Sequence, residues 1–87
     1  MGKIIVTIKD DASGSIIDAE IPTTQPMETL KYDIVEAVNG ANAGFYLDPN
    51  SVDLYCQRMN RVFFPGDTCE SVGLWNGDVL SFRPRAY

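Results

Sequence analysis

The chain reads as an α+β domain: a hairpin, one helix and then further strands around a single core. Three observations predict it. Residues 3–9 and 15–21 alternate in polarity on either side of Asp10-Asp11-Ala12-Ser13-Gly14, the pattern of two strands and a turn. Met27, Leu30, Ile34, Val35 and Val38 then follow at spacings that draw one apolar stripe on a helix. Beyond them lie two strand-like runs and the segment Val72-Gly73-Leu74-Trp75-Asn76-Gly77-Asp78-Val79-Leu80-Ser81-Phe82.

Taken in order, Lys3–Lys9 is rich in β-branched residues, with Ile4, Val6 and Ile8 directed inward and Ile5 and Thr7 outward. In the second strand Ile17, Ala19 and Ile21 face the core, and Ile16 shares the water side with Asp18 and Glu20. The helix is expected to begin near Pro26, because proline at the first position loses no hydrogen bond. Thr24 or Gln25 would cap it, and Glu28 suits the positive end of its dipole. Lys31, Asp33 and Glu36 are placed on its wet side, and Asn39-Gly40 is expected to stop it.

A loop over residues 41–51 carries Phe45, Tyr46 and Leu47, one of which is expected to plug the core beneath the helix. A second strand pair, Val52–Arg58 and Arg61–Phe64, turns at Met59-Asn60 and sends Val52, Leu54 and Cys56 inward. Pro65-Gly66-Asp67-Thr68 opens a short helical turn over Cys69, Val72 and Leu74. Asn76-Gly77-Asp78 then leads into a last strand with Leu80 and Phe82 facing in. Residues 1–84 are read as one domain and 85–87 as a C-terminal tail.

Composition narrows the function. At 87 residues and 45% hydrophobic content the chain supports one small core. No apolar run approaches the roughly 20 residues that span a bilayer, so no membrane insertion and a cytoplasmic location are expected. Met1-Gly2 lacks the Ser or Thr that a myristoylation signal wants, since position 6 is Val6. A net charge of −5 repels phosphate backbones, so no nucleic-acid partner is expected. Arg58 and Arg61 are taken as solvated surface. The two cysteines, Cys56 and Cys69, read as buried thiols; a bridge would need their Cβ atoms within about 4.5 Å.

Catalytic machinery is hard to assemble from these residues. With no histidine, neither a Ser-His nor a Cys-His pair can form. Two cysteines fall short of a structural zinc set, Asp10-Asp11 reads as a turn pair, and no Gly-Lys-Ser/Thr follows a glycine loop. No catalytic, metal or cofactor residue is assigned, and the chain is not read as an enzyme.

The element order together with Ile21–Ile34 and Thr68–Leu74 resembles the ubiquitin superfamily over nearly the whole chain. Ile21–Ile34 can be laid without a gap on that family's second strand and helix, and Thr68–Leu74 on the short turn before its last strand. The resemblance implies a β-grasp fold, a mixed five-stranded sheet of order 2-1-5-3-4 packed on one helix. Conjugation and sulfur carriage in that superfamily need a terminal Gly-Gly. The sequence holds no Gly-Gly pair and ends Arg83-Pro84-Arg85-Ala86-Tyr87, so neither is expected. Where ubiquitin has its apolar recognition patch, the nearest matches are Asp10/Asp11, Tyr55 and Arg83, which ordinary ubiquitin receptors should not bind.

Arg61-Val62-Phe63-Phe64, the run Thr68–Leu80 and the Pro26–Leu30 helix start are more closely similar to small bacterial ubiquitin-like proteins of the YukD/EsaB type. That resemblance implies an accessory protein of a type VII (WXG-protein) secretion system, acting by docking and carrying no cofactor. A small non-catalytic ubiquitin-like subunit of a multicomponent enzyme such as an oxygenase is the alternative, and neighbouring genes would separate the two. In the implied strand order the open face of the sheet carries Ile16, Ile5, Val79, Ser81, Arg83, Tyr55 and Gln57. Apolar residues rimmed by charge suit a protein partner, although single surface apolar residues occur on every protein. Trp75 is a further candidate anchor, or packs on its own hairpin. Exposed edge strands allow a monomer or a weak dimer.

Overall fold

A computed structural model of the chain describes residues 2–42, 44 and 46–85. Its elements are β1 (Lys3–Asp10), β2 (Ser15–Pro22), α1 (Met27–Ala41), β3 (Val52–Cys56), β4 (Arg61–Val62), α2 (Cys69–Val72) and β5 (Val79–Pro84). The five strands form one mixed sheet of order β2-β1-β5-β3-β4, as the resemblance implied. β1 and β2 are antiparallel from Lys3↔Pro22 to Asp10↔Ser15. β5 lies parallel to β1, with Thr7 opposite Val79, and antiparallel to β3, with Tyr55 opposite Ser81.

Alternation along each strand decides which side is wet. Val6, Ile8, Ile21, Leu54, Cys56 and Leu80 are buried against Met27, Leu30, Ile34 and Val38 of α1. Ile4, Ile17, Ala19 and Phe82 pack half-buried around them. The helix stripe therefore meets the inner sheet face, and burying it supplies most of what holds α1 in place. Cys56 and Cys69 are both buried free thiols.

Several local expectations are corrected. Neither Thr24 nor Gln25 caps α1: the N-cap is Pro26, with no side-chain cap bond. The loop after β4 does the work instead. Met27 N–H donates to the Asp67 carbonyl at 2.7 Å and Glu28 N–H to that of Pro65 at 3.1 Å. Two of the amides that a helix start leaves unpaired are thus satisfied from a distant segment.

The helix also runs through Gly40 to Ala41 rather than stopping at Asn39-Gly40. Asn42 Nδ2 donates to the Val38 carbonyl at 2.7 Å, covering an end group that would otherwise lack a partner. Asn39 serves the following loop, donating to the Leu47 carbonyl and accepting from Leu47 N–H. Leu47 is half-buried and Tyr46 exposed, so Tyr46 does not plug the core, and Phe45 lies outside the described residues. Lys31, expected on the wet side, is only 6% exposed.

β4 is two residues long instead of four, although Phe63 N–H still donates to the Leu54 carbonyl at 2.9 Å. Asn60 takes φ 52° at the β3–β4 turn, a left-handed conformation asparagine tolerates. α2 is held by a capping box: Ser71 N–H donates to Thr68 Oγ1 and Thr68 N–H to Ser71 Oγ. Of the stretch expected as a tail, Arg85 N–H donates to the Ser51 carbonyl at 2.9 Å. Ala86 and Tyr87 lie outside the described residues.

Candidate functional site

The outer face of the sheet is open. Register puts Ile5, Thr7 and Lys9 of β1, Ile16, Asp18 and Glu20 of β2, Val79, Ser81 and Arg83 of β5 and Tyr55 of β3 on it. Between β1 and β3 it dips into a groove of about 190 Å³ lined by Lys9, Asp11, Tyr55, Gln57, Val79, Ser81 and Arg83. Tyr55, Gln57, Val79 and Arg83, which lie on either side of β4 and α2 in the sequence, thus meet around one hollow.

The floor of the groove is stiffened by its own contacts. The Arg83 guanidinium lies 4.0 Å over the Tyr55 ring centroid, a cation–π pair across the β3–β5 ladder. Tyr55 Oη donates to Asn60 Oδ1, tying the ring to the β3–β4 turn. Held at both its face and its hydroxyl, the ring presents an apolar surface with a positive charge stacked on it.

Ile5, Ile16 and Trp75 do not line the groove. Ile16 stands opposite Lys9 on the outer strand and is well exposed. Ile5 belongs to a second cluster: its N–H donates to Asn76 Oδ1 at 2.7 Å and its carbonyl accepts from Gly77 N–H at 2.7 Å. Gly77 has φ 92°, a conformation that favours glycine, and this lets the turn fold back onto β1.

Trp75, in the same turn, is 63% exposed. Its indole lies 3.8 Å from the Arg58 guanidinium. Arg58, expected to be solvated, is gripped by Asp78 through Nε to Oδ1 at 2.8 Å and Nη2 to Oδ2 at 3.0 Å. Trp75 therefore rests on an ion pair and is presented to solvent.

Charge placement elsewhere departs from simple patterning. Asp10 is buried, its carboxylate accepting from Ser13 Oγ at 2.7 Å and from Ala12 N–H, so it organises the β1–β2 turn and is no part of a surface patch. Arg61 pairs with Asp67 at 2.9 Å. Asp53 takes both Arg85 at 3.3 Å and Lys31 at 3.9 Å at the edge of the sheet. Burial first and Arg85 second push the Lys31 ammonium below its ordinary pKa. Among the described residues no group of three or more His, Cys, Asp or Glu is placed to hold a metal ion, and no helix is long and apolar enough to cross a membrane.

Sequence reasoning missed Lys9 and Asp11 as groove residues and Arg58 as the support of Trp75. Lys9 was legible, because it shares the outward parity of Ile5 and Thr7. Asp11 and Arg58 were not, because turn geometry aims them. It also passed over Tyr32 and Phe64, which are exposed away from the open face.

The architecture is the ubiquitin-like fold. The chain superposes on the ubiquitin of Caldiarchaeum subterraneum with a TM-score of 0.75 at 18% identity, covering 99% of this chain and 98% of that one. A protein designed de novo on ubiquitin gives 0.76 at 16% identity, with 99% and 93% covered. The N-terminal ubiquitin-like domain in the 4931431F19Rik protein gives 0.72 at 12%, with 98% and 77% covered. Likeness at such identities establishes the fold. No protein-family model matches the sequence, and no curated protein is significantly similar to it.

Proposed function

We propose that this ubiquitin-like protein is a docking module that binds a partner protein through the open face of its sheet and performs no catalysis itself. The observation that carries this reading is the convergence of Tyr55, Gln57, Val79 and Arg83 on one groove, with the tyrosine held by Arg83 and Asn60. An aromatic flanked by polar groups is the usual anchor of a protein interface. The exposed Trp75 and Ile5, joined through the Asn76-Gly77 turn, add a second contact. On the resemblance of Arg61–Phe64 and Thr68–Leu80 to the YukD/EsaB type, the partner is assigned to a type VII secretion apparatus, met in the cytoplasm.

The test is capture from an extract of the native cell, with the retained proteins identified by mass spectrometry. Wild-type protein is compared with the Tyr55→Ala, Ile5→Ser double variant. The reading expects a secretion-system component, such as its membrane ATPase or a WXG protein, to be retained by wild type and lost by the variant while the variant's circular dichroism stays native. Retention by both defeats the docking face; recovery of oxygenase subunits defeats the secretion assignment alone.

A further inference from the structure

The distribution of paired and unpaired cations says what the groove takes. Of the seven lysines and arginines, five have a carboxylate partner: Lys3 with Glu20, Lys31 and Arg85 with Asp53, Arg58 with Asp78, and Arg61 with Asp67. Among the described residues Lys9 and Arg83 have none, and both line the groove beside Tyr55 and Val79. Asp11 lines it too, without forming an ion pair with either. Arg83 is positioned by an aromatic face, which orients a guanidinium but leaves its N–H donors unused.

On a chain of net charge −5, a hollow lined by Lys9 and Arg83 against Asp11 alone is net positive and favours an anionic occupant. We propose that the groove binds an acidic, extended segment of a partner protein. One carboxylate of that segment lies between Lys9 and Arg83, and a neighbouring apolar side chain rests on Tyr55 and Val79. The proposal rests on the docking reading above and adds the chemistry of the partner. A polyphosphate or an anionic membrane fits less well. Two cations neutralise few phosphates, and Asp18 and Glu20 on the same face repel an extended polyanion.

The probe is an N-acetylated, C-amidated pentapeptide alternating glutamate with leucine, titrated into the ¹⁵N-labelled protein and followed by amide chemical shifts. The same peptide with glutamine for glutamate is the comparison. The glutamate peptide should move the amides of Lys9, Tyr55, Val79, Ser81 and Arg83, and the glutamine peptide should bind about tenfold more weakly, the loss of one charge-assisted contact. Lys9→Gln with Arg83→Gln should weaken the glutamate peptide about tenfold or more, whereas Lys3→Gln should leave it unchanged.

Equal affinity for the two peptides, or shifts confined to the Trp75 turn, overturns the proposal. So does a short oligothymidylate or an anionic vesicle that moves the same amides at lower concentration. If the native partner is lost by Tyr55→Ala, Ile5→Ser yet kept by Lys9→Gln, Arg83→Gln, the acidic occupant falls and the docking face stands.

Discussion

Arg58 holds Asp78 through two parallel hydrogen bonds of 2.8 and 3.0 Å while its guanidinium lies 3.8 Å from the Trp75 ring. Asp78 Oδ2 in turn accepts from Trp75 N–H at 2.8 Å, and Arg58 also donates to the Gly73 carbonyl at 3.0 Å. One ion pair thus closes the turn before β5 and sets the height of the tryptophan. Arg58→Ala leaves a carboxylate only 6% exposed without its counter-charge and should lower the melting temperature more than Arg61→Ala, whose Asp67 partner is 22% exposed and better reached by water. It should also red-shift the indole emission of Trp75, and fluorescence checks both effects at once.

The same pair gives an acid dependence of known sign. The Arg58 hydrogen bond, opposed by burial and aided by Trp75 N–H, holds the Asp78 carboxyl below its ordinary value of 3.8. The folded pKa is lower than the unfolded one, so the stabilisation is fully present above about pH 4 and is lost as pH falls from there through the folded value. Urea unfolding at stepped pH should show this loss, and Asp78→Asn should remove its share of the slope. An unchanged slope in that variant would assign the acid sensitivity to other carboxylates.

Lys31 predicts a second rise of stability with pH, at the alkaline end. Its folded pKa is depressed by burial and by Arg85, so the folded state binds the proton less tightly than the unfolded chain. Stability should therefore rise as pH passes upward through the folded value toward 10.5. Lys31→Met keeps the packing volume and leaves Asp53 paired with Arg85, so it should be neutral or stabilising by about 1 kcal/mol. Denaturant midpoints of the two proteins at pH 7 and pH 10 check this.

Leu80 is fully buried, at 0% exposure between β1 and β3. Leu80→Ala should cost about 2–5 kcal/mol. A domain of this kind has only about 5–15 kcal/mol in total, so partial unfolding at 37 °C is expected. Val79→Ala, one residue away on the outer face, should cost far less. The pair isolates burial from strand propensity, and equal losses would deny the assigned facing of β5.

The thiols offer a test of packing. Cys56 and Cys69 are 0% and 1% exposed, and burial raises the Cys69 pKa. Neither should react with a thiol reagent such as dithionitrobenzoate in the native state at pH 7, and both should react in denaturant. Rapid native labelling at either residue would show that the core opens locally.

Much of the fold was written in local patterns. Alternation in Lys3–Lys9 and Val52–Gln57, and the Met27–Val38 stripe, place side chains by backbone geometry that each residue shares with its immediate neighbours. Inward and outward assignments therefore held across β1, β2, β3 and β5. Element ends held less well. α1 is started by carbonyls of Pro65 and Asp67 and runs past Gly40 with Asn42 covering its end, while β4 stops short of Phe63. The helix start depends on carbonyls far along the chain that no local window contains, whereas the Asn42 contact is local, four residues from Val38.

Sequence alone determined which residues share a face, how many strands there are and that one helix covers them, because periods of 2 and 3.6 follow from bond geometry and solvent alone. Tertiary structure decided that Thr7 lies opposite Val79, that Lys31 is buried beside Asp53, and that Lys9, Tyr55 and Arg83 enclose one groove. These depend on which distant strands pair and in what register. That choice is made by the whole core at once, when strands joined only through long connections settle where their buried faces and charges are jointly satisfied.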